Sequence, residues 1–310
     1  MTERDIEIFL TIIEKKNLSK AASALFMSPS SLAYHLGQLE KELNVTLFSR
    51  RKGQQNVELT PAGRSFIGLA ERWSALYAET GMLQRLDQSR PFYIGGVPSL
   101  FQYLFPQLFA DIHRIEGSRM RLMLRDMQSA AMYPAIENRD LDIGFSVLPV
   151  VYGNVVNEAL FDEETVIVMH AELSDPPGVF REDLHPHDLN PDLEFLFHFH
   201  RDYLHWHQKW YGSFLSPAVG IGDGPLIEYF FSRPGCNWAA VPLSVAMVLQ
   251  QRCHVSLHHI SAAPPPVRTT YLIVPRLPHL GYEDLLGVFR GHLDQFIARE
   301  AAAGHLVPRN

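Results

Sequence analysis

Apolar positions in the first forty-five residues recur with the spacing of short amphipathic helices. Between Asp5 and Lys15 they fall every three or four residues, which predicts a helix with one buried face. A second helix is expected after Ser19, whose hydroxyl can cap it, and its small alanines allow close packing. Ser28 followed by Pro29 predicts the start of a third helix. Its apolar stripe is Leu32, Leu36, Leu39 and Leu43.

The opposite face of this third helix is polar. It carries short or flat side chains at helical spacing, which can lie close to a groove and bond to base edges or phosphates: Ser30, Ser31, Tyr34, Gln38 and Lys41. Two short helices joined by a tight turn, the second with such a face, are typical of a helix-turn-helix. Two small strands with a basic loop, 50–53, are expected to follow as a wing. A three-helix core with a merely solvated polar face is the alternative.

Several short motifs resemble the N-terminal domain of LysR-type transcriptional regulators. They occur in the family's order: Ala21-Ala22, Ser28, Leu39-Glu40, Leu47-Phe48-Ser49-Arg50 and Leu59-Thr60-Pro61-Ala62-Gly63. The resemblance implies DNA binding, with Ser28 at the start of the recognition helix, base-edge contacts from Ser30, Ser31, Tyr34 and Gln38, and phosphate contacts from Arg50, Arg51 and Lys52. This chain departs from the family at Pro29, Ser30, Ala33 and Tyr34, so the family's base preference does not carry over.

A heptad pattern follows Thr60-Pro61, which predicts the start of a long helix. Its apolar positions are separated by three and four residues in turn, with a polar interruption only at Thr80: Phe66, Leu69, Trp73, Leu76, Thr80 and Leu83. Such a seam favours self-association. Packing against the chain's own C-terminal module is the alternative. The resemblance implies a linker helix through which the regulators dimerise, so that two recognition helices meet the half-sites of an inverted repeat.

From Phe92 onward the pattern changes to strands alternating with helices. Buried strands are expected at 92–97, 120–127 and 140–145, with helices starting at Pro98-Ser99 and at Ser129. This βαβαβ order predicts parallel strands, and ligands bind beyond the carboxyl ends of such strands. Ser99, Ser129 and Ser146 fall there. Each can simply cap a helix or end a strand, but three together suggest a polar pocket that favours an anion.

The resemblance extends to the C-terminal module and implies an α/β fold. The expected architecture is a winged helix-turn-helix (1–60), a linker helix and hinge (61–90), and a two-lobed, periplasmic-binding-protein-like (type 2) effector domain (91–310). Lobe I is expected at about 91–161 and 268–300, and lobe II at about 162–267. The family's glycine-rich segment is replaced here by 233–242, where the large Asn237 and Trp238 predict a reshaped pocket.

The segment HFHRDYLHWH, 198–207, holds four histidines. A strand over 194–200 would turn His198 and His200 to one face, and the resemblance implies that this face lines the interlobe cleft. His205 and His207 fall on a predicted helix, where residues two apart point about 200° apart, so they cannot chelate one ion. Metal ligation by His198 and His200 would need a distant third ligand, for which Asp223 and Cys236 are guesses. A cleft-lining role is favoured, with metal binding and plain packing as alternatives.

Composition and charge narrow the class of protein. With 46% hydrophobic residues the chain can bury sizeable cores, and no run of eighteen apolar residues occurs, so no membrane span is expected. The net charge of −7 is uneven: 1–90 hold 12 Lys and Arg against 10 Asp and Glu, and the remainder is acidic. Two cysteines make a disulfide framework implausible and favour the cytoplasm.

Taken with the resemblance, these features predict a bacterial DNA-binding transcription regulator that senses a small metabolite, with an anion favoured. The implied partners are double-stranded DNA carrying an inverted repeat, the effector, and further copies of the chain as a homodimer and then a homotetramer, with RNA polymerase as a further candidate. No cofactor and no catalytic residue is assigned, since no nucleophile, phosphate-binding or HExxH motif occurs. A metal-responsive regulator or metal-dependent enzyme, and an interaction protein that does not bind DNA, are the alternatives.

Overall fold

A computed structural model describes residues 1–50, 57–80, 91–171, 180, 183–197, 201–212, 217–222, 224–276 and 282–309. The chain divides into two compact units. The first comprises Met1–Gln88 with Glu137–Asp140, and the second comprises Ser89–Ile136 with Leu141–Asn310. No helix of the described residues is both long and apolar enough to cross a membrane.

The N-terminal unit is a three-helix core followed by two short antiparallel strands and a long helix. Its elements are α1 (Glu3–Lys15), α2 (Leu18–Ala24), α3 (Pro29–Leu43), β1 (Phe48–Arg50), β2 (Val57–Leu59) and α4 (Pro61–Thr80). The Ser28 side chain accepts from the backbone N–H of Ser31, which confirms the predicted start of α3. The predicted cap of α2 is wrong by two residues, because Asn17, not Ser19, accepts from the N–H of Lys20.

Buried contacts explain the short motifs of this unit. Phe9 of α1 packs between Phe48 and Phe66, with ring centroids 5.4 and 5.0 Å away. The carboxylate of Glu40 accepts from the N–H groups of Leu47 and Phe48 at 2.7 and 3.1 Å, which ties the end of α3 to β1. The chain entering β1 is therefore fixed by a side chain of α3.

Contacts of Thr60 and Gly63 fix the start of α4. The Thr60 hydroxyl accepts from the N–H of Gly63 and donates to the carbonyl of Thr46. Gly63 lies against Leu47, the residue before β1, where a Cβ atom would come within 2.1 Å of the Leu47 carbonyl oxygen. The Leu-Thr-x-x-Gly motif is thus a helix cap followed by a close backbone approach.

The C-terminal unit is built on a six-stranded sheet. The elements of this part are β3 (Pro91–Gly96), α5 (Pro106–Glu116), β4 (Arg121–Asp126), α6 (Ser129–Glu137), β5 (Ile143–Ser146), β6 (Val155–Glu163), β12 (Arg268–Pro275), α10 (Tyr282–Ala302) and β13 (Val307–Pro308). The strand order in the sheet is β13-β6-β12-β5-β3-β4. Strand β3 is parallel to both β4 and β5, which confirms the parallel pairing predicted from the βαβαβ order. Strand β12 returns antiparallel between β5 and β6.

A second group of strands is inserted between β6 and β12. It contains β7 (Thr165–His170), β8 (Phe195–Phe197), α7 (Arg201–Tyr211), β9 (Val219–Ile221), α8 (Gly224–Phe231), β10 (Trp238–Pro242), α9 (Leu243–Arg252) and β11 (Val255–His258). Strands β10, β7 and β11 form an antiparallel sheet, and β8 pairs with β9. We call the six-stranded part lobe I and this insertion lobe II; β6 and β12 connect them.

Candidate functional site

The face of α3 that points away from the core is polar and exposed. Leu32, Leu36 and Leu39 are buried on the other side of the helix, which fixes which residues point outward. Ser30 and Gln38 are exposed, and Tyr34 is 64% exposed, although a tyrosine ring has much apolar surface. The Ser28 and Ser30 hydroxyls lie 2.9 Å apart, so Ser28 is engaged in the helix start. Ser31, Tyr34 and Gln38 therefore present side chains beyond the capping contacts.

A buried polar contact holds α3 against α1. The Asp5 carboxylate lies 3.0 Å from Nδ1 of His35 and accepts hydrogen bonds from the N–H and hydroxyl of Thr2. Burial alone would raise the pKa of Asp5, but the hydrogen bonds from Thr2 and His35 outweigh it and hold that pKa below its usual range. The carboxylate form thus locks the orientation of the polar face of α3.

Only part of the predicted basic wing lies within the described residues. Arg50 ends β1 and pairs with Val57 of β2, which places it where the loop between the two strands begins. Arg51 and Lys52 lie outside the described residues. Their assignment as phosphate contacts stays a prediction.

The candidate dimer seam on α4 is smaller than predicted. Phe66 is buried against Phe9 inside its own unit, which corrects its assignment to the seam: a side chain filling its own core cannot also fill a partner's. Leu69 and Leu76 are 53% and 47% exposed, one heptad apart on the same side of the helix. Trp73 is half-buried and stacks on Tyr77 with centroids 5.3 Å apart. Leu83 lies outside the described residues.

A cavity of about 360 Å³ lies between the two lobes of the C-terminal unit. Its volume suits a small metabolite, and most of its surface is apolar. Lobe I supplies Val97, Pro98, Ser99, Gln128, Ser129, Ala130, Val147 and Leu148; lobe II supplies Phe197, Gly222 and Gly224; strand β12 supplies Arg268. Gly224 permits a close approach of the lobes, because a Cβ atom there would lie 2.4 Å from Oε1 of Gln102.

Two of the three predicted serines line this cavity. The Ser99 hydroxyl accepts a hydrogen bond from Arg268, and the Ser129 hydroxyl accepts one from the N–H of Val147. Each hydroxyl hydrogen therefore stays available to a ligand. The prediction for Ser146 is wrong. Its side chain is fully buried and both donates to and accepts from the backbone of Leu148, so it closes a local turn instead of facing the cavity.

Arg268 lines the cavity but was not among the residues predicted from the sequence. Its guanidinium donates to the Ser99 hydroxyl, to the Glu163 carboxylate and, at 3.4 Å, to the Ser244 hydroxyl. Glu163 ends β6 and also accepts from the N–H of Ser244 at 2.6 Å, at the start of α9. The only sequence signal was an arginine at the beginning of an otherwise apolar strand, since its partner Glu163 lies 105 positions away.

The described histidines of the histidine-rich segment have different environments. His198 and His200 lie outside the described residues, so their predicted cleft-lining role stays a prediction. On α7, His207 is buried and His205 is exposed, as their spacing requires. His207 contacts the buried Glu194 at 2.8 Å, and the Tyr203 hydroxyl donates to the same carboxylate. Burial and this carboxylate raise the pKa of Tyr203 well above its usual value. His207 thus holds α7 against the rest of lobe II.

The sequence predicts that the large side chains of Asn237 and Trp238 reshape the pocket. Asn237 and Trp238 donate to the carbonyls of Leu193 and Asn190, and neither belongs to the described lining of the cavity. The expected reshaping of the pocket by these two residues is therefore wrong; they anchor the segment that precedes β8.

Within the described residues no group of three His, Cys, Asp or Glu side chains could hold a metal ion.

Comparison with known proteins settles the family. Residues 4–64 match the model of the bacterial regulatory helix-turn-helix protein, lysR family, and residues 87–210 match the LysR substrate binding domain. The chain belongs to the LysR-type transcriptional regulator family. That family consists of regulators and not of enzymes. The first match lies in the N-terminal unit, and the second covers the first part of the C-terminal unit.

Curated relatives are about a quarter identical to this chain over the aligned residues. The HTH-type transcriptional regulator YofA of Bacillus velezensis is 27% identical over 186 residues, 59% of this chain and 64% of that protein. The transcriptional dual regulator GltC of Bacillus subtilis is 28% identical over 201 residues, 64% of this chain and 65% of that protein. The match thus spans just under two thirds of each relative.

Full-length structures of LysR-type regulators have the same fold. LysG of Corynebacterium glutamicum with bound effector Arg is 18% identical, covers 95% of this chain and 99% of its own, and has a TM-score of 0.63. CbnR complexed with its target DNA is 19% identical, covers 96% and 100%, and has a TM-score of 0.62. At these identities the likeness shows the fold alone, which confirms the predicted winged and two-lobed architecture.

Proposed function

We propose that this LysR-type chain is a transcription regulator that binds an inverted-repeat operator as a dimer, and whose interlobe cavity binds a small effector. The observation that carries the proposal is the exposed polar face of α3, held rigidly by its apolar stripe and by the Asp5–His35 contact. A helix presented in this way can enter a major groove. Its similarity to the transcriptional regulators YofA and GltC, and to the solved complex of CbnR with its target DNA, supports this use.

The direct test is a DNA-binding titration with the upstream region of the chain's own gene. Fluorescence anisotropy at several salt concentrations, with a scrambled duplex as competitor, separates specific from non-specific binding. We expect the natural region to bind at least about a thousandfold more tightly than the scrambled one. Equal affinity for both duplexes at every salt concentration would contradict the proposal.

Tyr34→Ala is expected to reduce discrimination between operator and scrambled DNA by about tenfold, because one lost base contact costs about 1–3 kcal/mol. The side chain is exposed, so the fold should be unaffected. Arg51→Ala, at a predicted phosphate contact, should instead weaken binding to both duplexes alike and flatten the salt slope. If Tyr34→Ala leaves the operator-to-scrambled ratio unchanged, the tyrosine does not read bases.

The cavity is proposed to bind a small metabolite, with an anion favoured because Ser99, Ser129, Arg268 and the start of α6 all offer hydrogen-bond donors to it. A ligand that prefers one lobe closure would shift the population of that closure and hence DNA affinity. LysG with bound Arg illustrates effector binding in a protein of this fold.

Ser99→Ala is expected to remove most of the thermal stabilisation that a metabolite hit confers on the wild type. At a hundred times its Kd, a ligand stabilises by about 2.7 kcal/mol, a shift that is easily measured. Ser146→Ala is the matched control: it removes a buried hydroxyl outside the cavity, so the basal Tm can fall while the ligand-induced shift persists. Should both variants respond to the hit like the wild type, the hit does not bind through Ser99.

A further inference from the structure

We propose that Arg268 is the residue that recognises the effector, and that it selects a ligand with a carboxylate or similar anionic group on an apolar body. This inference rests on the proposed function, since it names the chemistry of the cavity's ligand. It depends on a buried network of four side chains, Ser99, Glu163, Ser244 and Arg268, that we call the hinge network.

The first argument is the unused donor capacity of Arg268. A guanidinium has five N–H donors, and three hydrogen bonds leave two without a partner in the network. Nε is one of these: it is buried and has no hydrogen-bond partner among the described residues. Arg268 as a whole is 6% exposed, and it lines the cavity. Leaving a charged group's donor buried and unpaired is costly, so an acceptor from a ligand would be bound strongly.

The second argument concerns the charge of Glu163, which does not fully cancel that of Arg268. One carboxylate oxygen contacts the guanidinium, but the other accepts from the N–H of Ser244 at the start of α9. The positive end of that helix therefore shares the negative charge. Within the described lining of the cavity Arg268 is the one charged residue, so this described part of the surface carries a single, positive charge.

The third argument is the position of the hinge network. Glu163 ends β6 and Arg268 begins β12, the two strands that connect the lobes. Ser99 belongs to lobe I and Ser244 to lobe II. An anion bound to the unused donors of Arg268 would lie beside its bonds to Ser99 and Glu163, and would thereby change contacts that join the lobes.

The alternative is that Arg268 and Glu163 only stabilise the structure of the unit. Two matched ligand probes distinguish this structural role from effector recognition. Cyclohexanecarboxylate and cyclohexanecarboxamide share a ring and nearly the same size but differ in charge. Isothermal titration of the full-length wild type should give a Kd for the carboxylate at least about tenfold lower than for the amide, since bonds between charged groups are the stronger ones.

The deciding variant replaces both charges, Arg268→Gln with Glu163→Gln, because removing one alone leaves a buried unpaired charge that can unfold the protein. We expect the double variant to bind the amide as the wild type does and to lose the tenfold preference for the carboxylate. Arg268→Lys, which keeps the charge, should retain part of that preference. A purely structural role would instead weaken the binding of both probes equally.

The control removes another arginine–glutamate ion pair of the same unit, Arg290→Gln with Glu158→Gln, whose charged groups lie 2.7 Å apart and whose side chains are 36% and 35% exposed. It should keep the full carboxylate preference. The proposal is overturned if neither probe binds the wild type, if the Arg268 and Glu163 double variant keeps the preference, or if the control loses it as well. None of these titrations involves DNA, so their outcome is independent of operator binding.

Discussion

Replacing both Leu69 and Leu76 with aspartate is expected to convert the chain to a monomer at micromolar concentration and to weaken operator binding at least a hundredfold. Both side chains are about half exposed and lie one heptad apart on α4, so the change puts two charges into the candidate seam without disturbing the core of the unit. A monomer engages one half-site at a time and loses the gain from simultaneous binding, which is worth about 10²–10⁴ in affinity.

Sedimentation velocity and the operator titration measure the two effects. Ser74→Asp is the control: it adds a charge to an exposed polar position on another side of the same helix and should leave both measurements unchanged. If the double variant stays dimeric at nanomolar concentration and binds the operator normally, Leu69 and Leu76 do not form the dimer seam.

Gly63→Ala is expected to destabilise the N-terminal unit by about 3 kcal/mol or more, a severe overpacking effect. The new Cβ would lie 2.1 Å from the Leu47 carbonyl oxygen and 2.9 Å from a Leu59 methyl group. The backbone of Leu47 cannot easily move, because its N–H is held by Glu40 and its carbonyl accepts from Thr60. The expected consequence is loss of DNA binding through local unfolding.

Gly68→Ala offers a sharp contrast on the same helix. Apart from its chain neighbours and the backbone of its own helix, no described atom lies within 4 Å of the position its Cβ would take, so alanine should stabilise the helix by about 1 kcal/mol. Hydrogen exchange of α3 and α4 in the full chain measures both changes within this unit alone. Equal protection from hydrogen exchange in the two variants would show that the close approach of Gly63 to Leu47 does not make a larger residue at position 63 destabilising.

Local patterns were sufficient to predict most of the N-terminal unit. The cap at Ser28, the stripe from Leu32 to Leu39 and the start of α4 after Thr60 all depend on neighbours within a few residues. The error at α2 was of the same local kind: Ser19 and Asn17 are both good capping residues, and only the observed backbone distinguishes them. Phe66 was misplaced because a heptad pattern does not say which of its members the chain's own core uses.

The ligand cavity was predictable only in part. Ser99 and Ser129 follow parallel strands, so their convergence could be expected from topology. The Ser146 hydroxyl instead forms its hydrogen bonds with the backbone of Leu148, two residues further along the chain. The hinge network could not be predicted. Its members come from four separate segments of the chain, and nothing near Glu163 or Arg268 in sequence indicates that the two side chains meet.

Selection of binding sites from random DNA by the full-length chain tests the central claim most directly, because it requires no guess about the operator. Repeated rounds of binding and amplification, followed by sequencing, should enrich an imperfect inverted repeat whose half-sites are related by the two-fold symmetry of a dimer. Tyr34→Ala, carried through the same rounds, should enrich a less defined half-site. A wild-type pool that remains random after several rounds, with protein that is folded and dimeric, would contradict the account.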